Sequence, residues 1–264
     1  MSGIRAGQLV NILALAAVVA FNFISQSLPL NGQTSAEIAN RYSNMLYFPA
    51  NYAFSIWGVI YTFLIIFGVY QALPSQRDNP AVQRIGYLFA ASSVFNIAWL
   101  TCFHYNQFAL SMVMMLLLLG TLLAIYIRLG IGVSEVSRVT KIAIHVPFSI
   151  YIGWITAATI ANAGYLLVDA GWDGFGISSE VWAVIMLTVT GIVAAGMVWL
   201  RRDIAYGLVI VWAVSAIAVR HGAISSVAVA AVAVAGLTAV LVVLVALRMF
   251  GGGSSPAVAG SARA

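Results

Sequence analysis

Residues Phe108–Leu129 read FALSMVMMLLLLGTLLAIYIRL, an apolar run whose only charge, Arg128, sits beside its last residue. About 20 consecutive apolar residues are what an α-helix needs to cross the ~30 Å hydrocarbon core of a bilayer. The apolarity is unbroken, which excludes a barrel strand, where polar and apolar residues alternate. Working outward in both directions, seven further runs of this kind appear, so eight membrane helices are expected. They cover about Leu9–Gln26, Asn51–Leu73, Arg84–His104, Phe108–Leu129, Ile142–Ala163, Ser179–Leu200, Ile204–Val219 and Ser225–Met249. The seventh is short for a span.

Composition agrees. The 264 residues are 62% hydrophobic and 7% charged, and mean hydropathy is +1.01. An ordinary soluble domain carries about 25% charged residues, so these charges could not cover a soluble globule of this size. A soluble enzyme, a disordered chain and a nucleic-acid binder are excluded. The single cysteine, Cys102, excludes an intrachain disulfide and a cysteine-based metal site.

Turn chemistry separates the runs. Leu73-Pro74-Ser75 and Asn79-Pro80 lie between the second and third, and Gly130, Gly132 and Ser134 follow the fourth. Gly171, Gly174 and Gly176 precede a candidate N-cap at Ser178 or Ser179. The tail from Gly251, GGGSSPAVAGSARA, reads as disordered. Arg5 followed by Leu9–Phe21 has the outline of a signal peptide, but no A-x-A cleavage site follows, so the run is read as a retained helix.

The few charges set an orientation. With eight spans and a cytoplasmic N-terminus, the inside segments hold Arg5, Arg77, Arg84, Arg128, Arg138, Lys141, Arg201, Arg202, Arg248 and Arg263. The outside segments hold Arg41 and Arg220. Ten against two is a strong positive-inside bias. Both termini are expected in the cytoplasm, and the location is expected to be a bacterial plasma membrane. The expected organisation is a cytoplasmic N-terminus (1–8), a five-helix bundle (9–163), an outer loop (164–178), three further helices (179–249) and a tail (250–264).

No Asp, Glu, Lys or Arg lies in the middle of an expected span, which argues against a proton relay or ion pump. His104 and His221 fall at outer ends and His145 at the inner end of the fifth span, so they read as interfacial residues rather than a metal or haem site. Trp172, Trp182 and Trp199 fit an interfacial belt, and Trp212 reads as packing. Trp57, Trp99 and Trp154 have polar or aromatic company at helical spacing. Trp57 and Tyr61 are i,i+4; Asn96 and Trp99 are i,i+3; Tyr151, Trp154, Ala158 and Asn162 form one helical stripe. At 1.5 Å per residue, Trp57, Asn96, Trp99, Trp154 and Ala158 all lie roughly 7–14 Å from the outer ends of their helices. Tyr61 and Tyr151 lie deeper, and Asn162 at the rim. Two readings fit: three tightly packed helices with satisfied amides, or an aromatic-walled pocket for a flat hydrophobic ligand.

Three stretches, FPANYAFSIWGVIY (Phe48–Tyr61), FNIAW (Phe95–Trp99) and YIGWITAATIAN (Tyr151–Asn162), resemble the tryptophan-rich sensory protein family, also called the translocator protein or TspO/MBR family. Their order matches that family's second, third and fifth helices, and the resemblance covers about Leu9–Asn162. It implies an all-α, five-helix membrane core, here followed by three more helices. It also implies binding of tetrapyrroles such as protoporphyrin or haem, with no cofactor required. Trp57, Tyr61, Asn96, Trp99, Tyr151, Trp154, Ala158 and Asn162 would line or shape the pocket, with Ala158 as the small residue that leaves room.

Two features depart from the family. The first loop, Leu30–Phe48, lacks the expected Trp and keeps only Pro49 beside it, which leaves the lid contact open; Tyr42 and Tyr47 are the aromatic substitutes. Gly164–Gly176 has no Lys or Arg, so cholesterol binding is not expected. The leading expectation is a binding or sensor-type membrane protein, a receptor for a planar hydrophobic ligand. A transporter of an amphipathic molecule is the alternative, although no internal repeat supports it. An enzyme acting on a porphyrin ranks lower, since no acid–base pair is visible. The expected partners are the bilayer and a hydrophobic small molecule. Helices six to eight, with their small residues, could instead serve helix association or a homo-oligomer.

Overall fold

The computed structural model describes residues 6–42 and 44–251, and among these the regular structure is entirely helical. Arg5, Arg263 and the tail beyond Gly251 lie outside the described residues. The main helices are α1 (Ala6–Ser27), α3 (Ile56–Ala72), α5 (Leu88–His104), α6 (Phe108–Leu129), α8 (Val146–Asp169), α9 (Ser179–Arg201), α10 (Ile204–Arg220) and α11 (Ser225–Gly251). Short helices α2 (Ser35–Ala39), α4 (Pro80–Ile85) and α7 (Arg138–Thr140) lie on connections, and a 3-10 turn over Asn51–Ser55 leads into α3.

Six segments are long and apolar enough to cross a membrane: Ala6–Ser25, Asn51–Ala72, Phe108–Leu129, Arg138–Asp169, Ser179–Arg201 and Ser225–Met249. The expected third and seventh spans appear as shorter apolar helices, Leu88–His104 and Ile204–Arg220. The third starts later than Arg84 because Gly86 breaks it. Its φ of +53°, a region glycine enters freely, ends α4, and its carbonyl accepts a bond from the Asn11 side chain at 2.8 Å. The first helix begins at Ala6, inside the expected N-terminal segment.

The fifth span is longer than the expected Ile142–Ala163. It runs from Arg138 to Asp169 through a π-helical turn at Lys141–His145. Pro147 follows two residues after the turn ends, and its ring and missing N–H cannot fit a regular α-turn, so the wider turn absorbs the misfit. At the far end Tyr165 is buried, which keeps α8 helical to Asp169 and shortens the loop that follows to 170–178.

α8 is the central helix. Within its most apolar window 72% is buried, against 28–39% in the other five long segments. α3, α6 and α10 pack around it, α1 and α6 pack on α5, and α9 and α11 pack on α10. The helix starts follow local chemistry. The side chains of Asn79, Ser178 and Asp203 accept bonds from backbone amides in the first turns of α4, α9 and α10.

At one end of the bundle Phe67, Phe89 and Phe148 meet at centroid distances of 5.1–6.1 Å and fill the interior. The other end holds a cavity.

Candidate functional site: an aromatic cavity

The cavity measures about 510 Å³, within the range of small-molecule sites. Five helices and one connection wall it. α1 supplies Val19, Asn22 and Phe23; α3 supplies Trp57 and Tyr61; α5 supplies Trp99, Leu100 and Phe103. α8 supplies Trp154, Ala157, Ala158, Ala161, Asn162 and Tyr165, and α10 supplies Ala213 and Ile217. Ser35, Tyr47, Phe48, Pro49, Asn51 and Phe54 come from the segment between α1 and α3. The three alanines of α8 recur at helical spacing and leave the space that larger side chains would occupy.

Seven of the lining rings form a closed circuit. Trp57 lies 6.3 Å from Trp99, Trp99 lies 6.1 Å from Phe103, and Phe103 lies 5.3 Å from Tyr165. Tyr165 is 5.7 Å from Phe48, and Phe48 is 5.7 Å from Phe54. Phe54 is 6.0 Å from Trp154, and Trp154 returns to Trp57 at 6.4 Å. Several of these contacts are edge-on, the arrangement that brings the positive edge of one ring to the negative face of the next. Tyr61 stacks on Trp57 at 5.5 Å and 19°.

Polar groups hold this wall in place. The Asn162 carbonyl oxygen accepts from the Trp99 indole at 3.2 Å and from the Ser111 hydroxyl at 3.0 Å. One amide thus fixes the indole on α5 and ties α8 to α6. A second chain of bonds lies beneath the cavity. Asn22 donates to Asn96 at 2.9 Å, and Asn96 donates to the Tyr151 hydroxyl at 3.0 Å, which links α1, α5 and α8. The Tyr61 hydroxyl is buried without a partner. The lining contains no Asp, Glu, Lys, Arg or His.

Of the eight residues singled out in the sequence, Trp57, Tyr61, Trp99, Trp154, Ala158 and Asn162 line the cavity. Asn96 and Tyr151 do not; they stand under its wall, where Tyr151 packs 6.1 Å from Trp57. Sequence reasoning missed Asn22, Phe48, Phe54, Phe103, Tyr165 and the α10 pair. Phe103 and Tyr165 were within reach, since each continues a stripe already seen: Phe103 is four residues after Trp99, and Tyr165 three after Asn162.

The segment between α1 and α3 covers the cavity end. Ile38 is fully buried against Phe48, Phe103, Phe108 and Tyr165, and the Tyr165 hydroxyl donates to its carbonyl at 3.0 Å. Of the two tyrosines on this segment, Tyr47 reaches the lining and pairs with Thr190 of α9 at 2.7 Å. Tyr42 stands outside and donates to Asp169 at 2.8 Å. Burial, and next the Asp169 carboxylate, push the Tyr42 phenol above its ordinary range, so it stays protonated and serves as a donor. His104 lies in the same region, its Nε2 2.9 Å from the Ser35 hydroxyl. Trp212 is more than packing: its indole donates to the Ala53 carbonyl at 3.1 Å and fastens α10 to the 3-10 turn that leads into α3.

No curated protein and no solved structure matches the chain. The model of the TSPO-like protein family matches residues 8–245. That span runs past the Leu9–Asn162 stretch that carries the sequence motifs, through α9 and α10 and into α11, so the C-terminal helices fall within the matched region. The match covers most of the chain, and the chain belongs to the TSPO-like protein family.

Proposed function

We propose that this protein is a membrane receptor or sensor that binds a planar hydrophobic molecule of the tetrapyrrole class in the aromatic cavity. The observation that carries the reading is the closed circuit of seven rings around an uncharged space of about 510 Å³. A flat apolar ligand gains burial and ring contacts there, and each aromatic pair contributes ~0.5–1.5 kcal/mol beyond area alone. The Tyr61 hydroxyl offers a polar contact. A lining without any acid–base pair favours binding over catalysis. The packed phenylalanines Phe67, Phe89 and Phe148 at the other end favour a held ligand over a through-path.

We take α5 and α10 to cross the bilayer together with the six longer segments. Seventeen residues make about 26 Å of helix, close to the hydrocarbon thickness, and a few Å of mismatch is accommodated at modest cost. The cavity then opens toward the outer face of a bacterial plasma membrane, and both termini are cytoplasmic.

Protoporphyrin should quench the tryptophan fluorescence of the purified protein saturably. Trp57→Ala combined with Trp154→Ala should weaken that binding several-fold, while Trp172→Phe, outside the cavity, should leave the affinity unchanged. Saturable binding that survives the double substitution at full strength refutes the cavity as the site.

A further inference from the structure

We propose that Arg220, with Arg41 as a weaker second arm, receives the carboxylate of an amphipathic ligand whose flat apolar body lies inside the aromatic circuit. This rests on the ligand-binding reading above and adds the charge of the ligand and the residues that read it.

The cavity lining itself carries no charge. An anionic group on a ligand must therefore lie at the mouth or find a cation beside it. Arg220 is placed for this. It is the last residue of α10, one turn beyond Ile217, which lines the cavity. Its guanidinium stands 5.2 Å from the centroid of Phe48, a buried member of the circuit. Arg41 stands 6.0 Å from Phe108. Phe48 and Phe108 both contact Tyr165, at 5.7 and 5.8 Å, so each cation rests on a ring that touches the same tyrosine of the wall.

The pairing of these arginines differs. Arg41 donates to the Gln33 side chain, and its neighbour Tyr42 is bonded to Asp169, so a carboxylate already stands on that side. Arg220 is partly buried, rests on an aromatic face, and among the described residues no carboxylate pairs with it. A guanidinium held over a ring keeps its donor edge free for a carboxylate, which it binds in bidentate fashion. Charge economy points the same way. Positive charge is depleted on the outer side of membrane proteins. Here only Arg41 and Arg220 fall in the outer segments; Arg220 rests on Phe48, a ring of the cavity wall, and Arg41 on Phe108, a ring behind that wall.

The test compares protoporphyrin, which has two carboxylates, with its uncharged dimethyl ester, using the full chain in nanodiscs of pure phosphatidylcholine and tryptophan quenching as the readout. Arg220→Gln should weaken the diacid about tenfold, the usual worth of one charge-assisted contact, and leave the diester within twofold. Arg41→Gln should have a smaller effect of the same kind. Retained diester binding also shows that the variant is folded. Equal weakening of both ligands by Arg220→Gln overturns the assignment, because the arginine then acts on the shape of the site. No change for either ligand overturns it as well; that includes an arginine that serves anionic lipid headgroups, which these nanodiscs lack. If the unsubstituted protein binds neither compound, the cavity reading itself fails. If it binds both and only the charge effect is missing, the cavity stands and the role of Arg220 falls.

Discussion

The Asp203 carboxylate is buried at the turn between α9 and α10 and accepts three hydrogen bonds. Two come from the hydroxyls of Tyr126 on α6 and Ser149 on α8, at 2.8 and 2.7 Å, and one from the Tyr206 amide, at 3.1 Å. Three helices therefore close on a single side chain. Burial raises its pKa, against the lowering pull of those bonds. A raised acid pKa means that this group's stabilisation is full below the ordinary carboxylate range and is lost as pH rises through the raised value. Asp203→Asn removes that dependence. In thermal unfolding from pH 4 to pH 7, the advantage of the unsubstituted protein over Asp203→Asn should therefore shrink as pH rises. Asp203→Ala leaves two buried hydroxyls and a helix start without partners and should cost about 2–4 kcal/mol at pH 4, a cost that shrinks with rising pH in the same way. The sequence places Asp203 at a turn but says nothing of Tyr126 or Ser149, which lie 77 and 54 residues away.

Among the elements, α10 has the largest bearing on the site. It supplies Ala213 and Ile217 to the lining, holds the 3-10 turn before α3 through Trp212, and carries Arg220 at its end. It can reach the cavity because its first turns pack closely against α9 and α11. A Cβ built on Gly207 would stand 2.5 Å from a Val198 methyl and 2.6 Å from a Val242 methyl. Valine side chains are stiff at χ1 and do not swing away freely. Gly207→Ala should lower stability by about 1–3 kcal/mol and weaken protoporphyrin binding, because it displaces one cavity wall. Adding Val198→Ala should recover part of both losses. Thermal unfolding and quenching titrations on the two variants check this. A purely local strain would lower the melting temperature and leave the affinity untouched. The apolar run of α10 was legible as a helix. Its place against the cavity was not, since a helix apolar on all sides carries no periodic sign of which face is inside.

For the whole molecule, alternating helix directions put the described cations at two ends. Arg77, Arg84, Arg128, Arg138, Lys141, Arg201, Arg202 and Arg248 lie at the packed end, and Arg41 and Arg220 at the cavity end. Single cysteines placed in a Cys102→Ser background should report this arrangement. A cysteine at Ser75, between α3 and α4, should resist an impermeant thiol reagent in intact cells. One at Phe175, an exposed residue between α8 and α9, should react. Reaction at Ser75 would invert the orientation. Matching protection at both sites would mean that α5, the short apolar helix between them, does not cross.

The sequence by itself determined that the chain is an all-helical membrane protein, because a charge fraction of 7% and long unbroken apolar runs admit no other solution for a backbone in lipid. It also determined the motifs on α3, α5 and α8, because i,i+3 and i,i+4 spacing is a property of one helix and can be read along one stretch of chain. Only the tertiary structure decided what those motifs do together. It put Asn96 and Tyr151 beneath the wall and Trp57, Trp99 and Trp154 on it. It closed the ring with Phe48, Phe54, Phe103 and Tyr165, and brought the end of α10 with its terminal arginine against Phe48. Which faces of different helices meet depends on small steric allowances, such as Gly207 against two valines, and on bonds between residues far apart in the chain. Neither leaves a periodic trace in a sequence that is apolar nearly everywhere.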